Sequence, residues 1–352
     1  MKLRTGTYRF QTCAPEADAT LNWDATTVVA VEAYADDRTG LGWTYSTAAA
    51  AGIVDDHLAG AVEVLDPMDV PRCAEAMRRA CRNLGSRGLV AQAISAVDIA
   101  LWDLKARLLD VPLAALFGRA REAAPVYGSG GFTTMDDAAL HAEVTRWLGA
   151  GCAAMKIKIG EAWGQNVARD LARVRLLRDT AGDDVTLMVD ANGGYTRGQA
   201  RRVGAALDEL GVAWFEEPVS SDDLEGLAAV RDALRCDVTA GEYAGDVYEA
   251  ARLCPVVDCL QLDVTRCGGY TGFLRASAVA AAHNLDVSAH CAPALHAPIA
   301  VAVPNFRHIE WFADHARLEP VLADGVPQVH GGMLRPGGGP GHGMALRTQI
   351  SS

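Results

Sequence analysis

The sequence predicts an α/β chain: a closed barrel of strand–helix units behind an N-terminal α+β domain. Three observations carry that reading. From Pro125 onward short apolar strands alternate with helical stretches, eight strands in all, the number that closes a parallel barrel. The chain before them has a different rhythm, with strands first and helices after. Acidic and basic residues recur where the later strands end, and in a barrel those ends converge on one face.

Taken in order, Thr26 to Ala35 is valine-rich and loosely alternating. Asp36-Asp37-Arg38-Thr39-Gly40 is a polar turn, and Leu41 to Tyr45 resumes a strand, so the pair forms an antiparallel hairpin. Gln92 to Leu109 is a helix, because Ile94, Val97, Leu101, Leu104 and Leu108 recur at three- and four-residue steps and Val111-Pro112 stops it. The barrel strands fall at Val126 to Gly131, Ala154 to Ile159, Val185 to Val189 and Val212 to Phe215. Four more follow at Val238 to Ala240, Cys259 to Leu262, Val287 to Ala289 and His308 to Trp311. Arg169 to Asp179 and Gly198 to Leu210 are linking helices, while Cys291 to Arg307 is too short and too broken by proline for a long one. The tail from Val321 to Ser352 is glycine-rich, lacks the Lys-Ser/Thr ending of a phosphate loop, and reads as a loop.

Of 352 residues, half are apolar and 22% charged, enough to bury a sizeable core. The net charge of −12 gives no basic face for nucleic acid. No apolar run has signal-peptide or membrane-span length, so the expected location is cytoplasmic. Nine scattered cysteines contain no CxxC pair and read as reduced thiols packed as small hydrophobes.

The strand ends carry the chemistry. Asp190, Glu216 and Glu242 close three successive strands at equal steps of 26 residues, about one strand–helix unit each. Three carboxylates at one level repel one another unless a cation lies between them, and all-oxygen ligation with room for water suits Mg²⁺. Lys156 and Lys158, two apart on a strand, point the same way. Like charges lower each other's pKa, which favours a neutral Lys158 as a base. His290 ends the seventh strand beside Asp263 on the sixth, and an acid holding one imidazole nitrogen frees the other for proton transfer. Bases on both sides of a metal suit removal of a proton next to a carboxylate, with Glu310, if protonated, hydrogen-bonding the charge that develops. Two other readings compete. A metal-binding barrel without turnover would not need this full set of acid/base groups. A zinc hydrolase would want paired histidines, and His290 and His296 are separated by a proline-containing loop.

These residues resemble the enolase superfamily in its mandelate racemase subgroup. The resemblance runs along the whole chain: Ala96-Val97-Asp98-Ile99-Ala100-Leu101-Trp102-Asp103, Lys156-Ile157-Lys158, Asp190-Ala191-Asn192, Glu216-Glu217-Pro218, Gly241-Glu242, Asp263 with Gly268-Gly269, His290 and Glu310. It implies a modified (β/α)₇β barrel at 121–320, an α+β capping domain at 1–120 and a segment at 321–352 that returns to complete the cap. It further implies that Lys158 is one acid/base, His290 with Asp263 the other, and Glu310 an electrophilic donor. Lys156 and Asn192 would contact the substrate carboxylate or the charge it develops, Asp190, Glu216 and Glu242 would hold Mg²⁺, and the chain would form a homo-oligomer. The implied partner is a small carboxylate, and the implied reaction is dehydration of a sugar acid to a 2-keto-3-deoxy acid, with racemisation or epimerisation of a 2-hydroxy acid as the alternative. Specificity is expected from cap loops at Thr12 to Asn22 and Thr44 to Gly52. The first holds Glu16 and Asp18 but no arginine cluster, which argues against a di-acid, and the second is an alanine-rich wall.

Overall fold

The computed structural model describes residues 1–349. Three antiparallel strands open the chain, β1 (Lys2–Ala17), β2 (Asn22–Ala35) and β3 (Arg38–Tyr45), paired in the order β1-β2-β3. The hairpin is as expected, but β1 was not. Only Phe10 and Ala17 of that strand are buried, so its alternation leaves almost no apolar signal. The segment expected as a loop at Thr12 to Asn22 is therefore mostly strand, with a tight turn in which Asp18 accepts the Thr20 and Leu21 amides at 2.6 and 2.7 Å.

The helix Leu89–Leu108 packs against β3 and β2. The packing is close: a Cβ on Gly40 would lie 2.2 Å from the Ala100 carbonyl oxygen, and one on Gly42 2.3 Å from that of Ala96. Glycine is what lets the sheet touch the helix backbone.

Eight parallel strands then close a barrel: β4 (Ala124–Gly130), β5 (Ala154–Lys158), β6 (Thr186–Asp190), β7 (Val212–Glu216), β8 (Asp237–Ala240), β9 (Cys259–Leu262), β10 (Asp286–Ala289) and β11 (Phe306–Phe312), with β11 pairing back onto β4. Helices at Asp137–Gly149, Val167–Ala181, Arg197–Glu209, Leu224–Arg231, Val247–Leu253 and Gly269–Ala282 link the first seven strands. The last link holds only the short helix Pro293–Ala300. Inside the barrel, below the charged rim, Tyr127, Met188, Trp214 and Cys259 pack together. All nine cysteines are unpaired as thiols, and all but Cys13 are buried.

The tail is more ordered than a loop. Val329–His330 and Met333–Leu334 form a small hairpin that pairs antiparallel with β4, and Ala323–Asp324 pairs with Ala345–Leu346. Two-residue strands are too short for a period to show in sequence. The tail then reaches the first domain: Asp103 accepts the His342 amide at 2.7 Å and the Leu41 amide at 2.8 Å, and His342 Nε2 meets the Leu41 carbonyl at 2.8 Å. Residues 350–352 lie outside the described residues. No described helix is long and apolar enough to cross a membrane.

Candidate active site

The strand register sets the rim. Lys158 pairs with Asp190 and Asp190 with Glu216 across β5, β6 and β7, so three charged groups stand side by side. Glu242 joins them from beyond β8 because Gly241 turns the chain at φ 134°, where a Cβ would meet the Gln261 carbonyl at 2.3 Å. Asp190, Glu216 and Glu242 each offer an oxygen within 4.8 Å of the others, and all three are buried. Three carboxylate oxygens this close, with room left for water, suit a hard divalent ion such as Mg²⁺. Glu242 Oε2 is buried without a hydrogen-bond partner, as a carboxylate oxygen aimed at a cation would be.

Burial pushes the Glu216 carboxyl well up, and its acidic neighbours Asp190, Glu310 and Glu242 add to this against the pull of Lys156. Burial also raises Asp190, but Lys158 and Lys156 outweigh it and hold that group down. Lys158 Nζ lies 2.5 Å from Asp190 Oδ2. Burial, then Lys156, pull the Lys158 ammonium down, yet Asp190 together with Glu310 and Glu242 outweighs them and its pKa is raised.

Lys156 is fully buried beneath the carboxylates. It donates to both Glu216 oxygens at 2.7 Å and lies 2.9 Å from Glu310 Oε1. In this arrangement it is the counter-ion shared by two acids. Glu310 also accepts from Ser129 Oγ at 2.6 Å and from the Cys291 amide at 2.8 Å. Burial would raise Glu310, but Lys156, His290 and Lys158 hold it well below the usual carboxylate range. The surroundings therefore favour its ionised form, not the protonated donor that the sequence suggested, and the hydrogens at that place belong to Lys156.

His290 Nδ1 lies 2.9 Å from Asp263 Oδ2, and Nε2 lies 3.5 Å from Glu242 Oε2. Asp263 Oδ1 is fixed by the amide and hydroxyl of Thr265, both at 2.7 Å. Burial raises Asp263, yet His290 and Arg266 hold it well below the usual carboxylate range, so it stays an acceptor. Asn192, at φ 42°, donates its amide to Asp190 Oδ1 at 2.9 Å and leaves its own Oδ1 without a partner. His296 is structural: Nε2 accepts the Val264 amide at 2.9 Å and Nδ1 faces the Cys291 carbonyl at 2.9 Å. That removes the paired-histidine zinc reading.

Three residues escaped sequence reasoning. Arg266 Nη1 donates to Glu242 Oε1 at 3.1 Å, and Nε lies 3.4 Å from Asp263 Oδ2, tying the metal cluster to the histidine pair. Its i,i+3 spacing from Asp263 was the available signal. Glu217 is buried at φ 39°, pushed well up by burial and by Glu242, Asp190 and Glu216. Its doubling of Glu216 hid it. His315 lines the cavity above the rim, stacked on Tyr45 with ring centroids 3.4 Å apart.

That cavity, about 300 Å³, is bounded below by Lys158, Asn192, Glu242 and His290 and above by Trp23, Thr26 and Tyr45 of the first domain. Buried acids, two bases on opposite flanks and a shaped space over them form a site for enolising a carboxylate.

Comparison with known proteins agrees with this architecture. Residues 10–118 match the family described as mandelate racemase / muconate lactonizing enzyme, N-terminal domain, and residues 139–350 that described as enolase C-terminal domain-like. The L-talarate/galactarate dehydratase of Salmonella typhimurium is 33% identical over 78% of this chain and 71% of its own length. A mandelate racemase/muconate lactonizing enzyme-like protein from Rubrobacter xylanophilus superposes with a TM-score of 0.95 at 44% identity, covering 98% of this chain and 96% of that one. A racemase from Streptomyces coelicolor solved with bound magnesium superposes with a TM-score of 0.92 at 31% identity, over 98% and 96% of the two chains. The chain belongs to the enolase superfamily, in its mandelate racemase/muconate lactonizing enzyme group.

Proposed function

We propose that this protein is a Mg²⁺-dependent enzyme that removes the proton α to a carboxylate, and that its reaction is dehydration of a sugar acid to a 2-keto-3-deoxy acid. The observation that carries the reading is the flanking of the carboxylate row, with Lys158 at the Asp190 end and His290 at the Glu242 end. Asp190, Glu216 and Glu242 would hold the metal. Held there, Mg²⁺ would supply positive charge that competes with Lys158 for Asp190 and offsets the negative charge developing on the substrate carboxylate.

The remaining steps belong to the chain. Neutral Lys158 takes the α-proton on Nζ. Asn192 donates to the substrate carboxylate, and Lys156, shared between Glu216 and Glu310, places positive charge beneath it. His290, its Nδ1–H held by Asp263, gives the Nε2 proton to the β-hydroxyl, the carbon–oxygen bond breaks and water leaves. The enol left behind takes a proton and becomes the 2-keto acid. The naming of the Salmonella relative as a dehydratase supports this choice over racemisation.

Proton NMR in D₂O with Mg²⁺ and a panel of sugar acids tests the proposal. Loss of an α-proton signal together with new 2-keto-3-deoxy signals is the expected result. Exchange without net product would replace dehydration by racemisation or epimerisation. A Mg²⁺-loaded, folded protein that exchanges no α-proton would overturn the enzymatic reading.

A further inference from the structure

We infer that the substrate carries one carboxylate only, held at the barrel rim, and that its far end is an uncharged, hydroxyl-bearing chain. This rests on the reading above, that a carboxylate docks at the Asp190–Glu216–Glu242 cluster, and concerns what lies beyond it.

The cavity has two walls of opposite character. The barrel wall holds both lysine and arginine side chains that line it, Lys158 and Arg266, and each is committed: Lys158 to Asp190, Arg266 to Glu242 and Asp263. The cap wall offers no lysine or arginine among the described residues. Two carboxylates face it, one from the cap and one from the barrel. Asp18 stands in the turn between β1 and β2. Asp314, just after β11, accepts the Thr26 hydroxyl at the cap face. Arg317 is close by, but it donates to Asp314 and to the Gln11 carbonyl at 3.0 Å and does not line the cavity.

Glu16 reports the local field independently. It accepts Trp23 Nε1 at 2.9 Å, and burial, then Asp314, pushes its carboxyl up to about 7. A place where a resident carboxyl already resists ionisation is a poor place for a second substrate carboxylate.

The donors around that end of the cavity, His315 from the barrel and threonines from the cap, are neutral. His315 Nδ1 accepts the Ala292 amide at 3.1 Å, so the ring hydrogen sits on Nε2, and burial holds the ring uncharged with its pKa down at about 3. Thr26 and Thr27 add hydroxyls. Groups that each give or take one hydrogen bond without charge recognise hydroxyls, whereas a carboxylate calls for a guanidinium or ammonium.

The test is calorimetric titration of the Mg²⁺-loaded full chain with matched pairs that differ only at the terminal carbon, gluconate against glucarate and galactonate against galactarate, alongside the α-proton exchange assay. The best monocarboxylate is expected to bind at least ~10-fold tighter than its dicarboxylate partner. Asp314→Asn, which removes a carboxylate and frees Arg317, is expected to narrow that gap by raising dicarboxylate affinity. A dicarboxylate that binds wild type as tightly as its partner overturns the inference and leaves α-proton abstraction standing. Unchanged dicarboxylate affinity in folded Asp314→Asn overturns the role of Asp314. Failure of both series to bind, with no exchange from any acid, overturns this inference together with the reading it rests on.

Discussion

The barrel rim and the cap face enclose the same cavity but are made differently. On the rim the charged groups stand at or just past strand ends and are answered by neighbours, Lys158 by Asp190 and His290 by Asp263. The cap face presents mostly neutral side chains from β2, β3 and the turn before β2, and its acid contacts cross long stretches of chain: Thr26 meets Asp314 from 288 residues away, and Tyr45 meets Glu319 from 274. The difference separates two jobs. A rigid row of strand ends holds charges within tenths of an ångström, which chemistry at a weak carbon acid requires. A wall of neutral groups can change residue by residue without disturbing that row, which suits selection among substrates.

The largest effects should come from the rim. Lys158→Ala and His290→Asn should each lower α-proton exchange by ~10²–10⁴-fold, the usual contribution of a positioned acid or base, while Mg²⁺ binding persists because neither is a ligand. Exchange near the wild-type rate in Lys158→Ala would remove it as the base. Glu216→Gln comes next. It deletes one ligand charge and the partner of Lys156, and should weaken Mg²⁺ binding by ~10–100-fold in calorimetry. Unchanged affinity would place the metal elsewhere.

The same division decides how much was legible in the sequence. The eight strands, the equal spacing of Asp190, Glu216 and Glu242, and the nearness of Asp263 to His290 all follow from the strand–helix repeat, because each unit returns the chain to the same level. What spacing does not encode is depth. Lys156 and Lys158 share a face, yet one is sealed beneath the acids and the other reaches the cavity. Nor does spacing along one strand show that Lys158 has Asp190 beside it, one strand over in register. Strand β1 escaped because it buries little, and the roles of Arg266 and His315 escaped because their partners come from other elements.

The packing inside the first domain gives a smaller effect. β3 rests on the helix Leu89–Leu108, and a Cβ at Gly40 would lie 2.2 Å from the Ala100 carbonyl oxygen and 2.4 Å from the Leu104 amide nitrogen. Both are backbone atoms and cannot swing aside. Gly40→Ala should therefore cost ~1–3 kcal/mol as overpacking, read as a lower urea midpoint, while the folded fraction still binds Mg²⁺. An unchanged midpoint would show that the sheet can ride up on the helix. Loss of metal binding in the folded protein would break the separation of cap from rim.

The smallest effect concerns the buried contact beneath the cap wall. Glu319 accepts the Tyr45 hydroxyl at 2.9 Å and the Ala294 amide at 3.2 Å, and so steadies the ring on which His315 stacks. Burial pushes its carboxyl up to about 8. In the unfolded chain the group titrates near ~4.3. Between those values the folded protein keeps a proton that the unfolded chain has released. The folded state therefore binds more protons, and its stability falls as pH rises through the window. Glu319→Gln keeps the shape and an acceptor but removes the titration. Melting curves of both proteins should diverge from pH 5 to pH 8, wild type losing a few degrees relative to the variant, and subtraction cancels every group the two share. Parallel curves would mean that Glu319 is ionised under the cap. The Tyr45–His315 wall would then rest on a buried charge, and the cap face would differ from the rim less than its neutral surface implies.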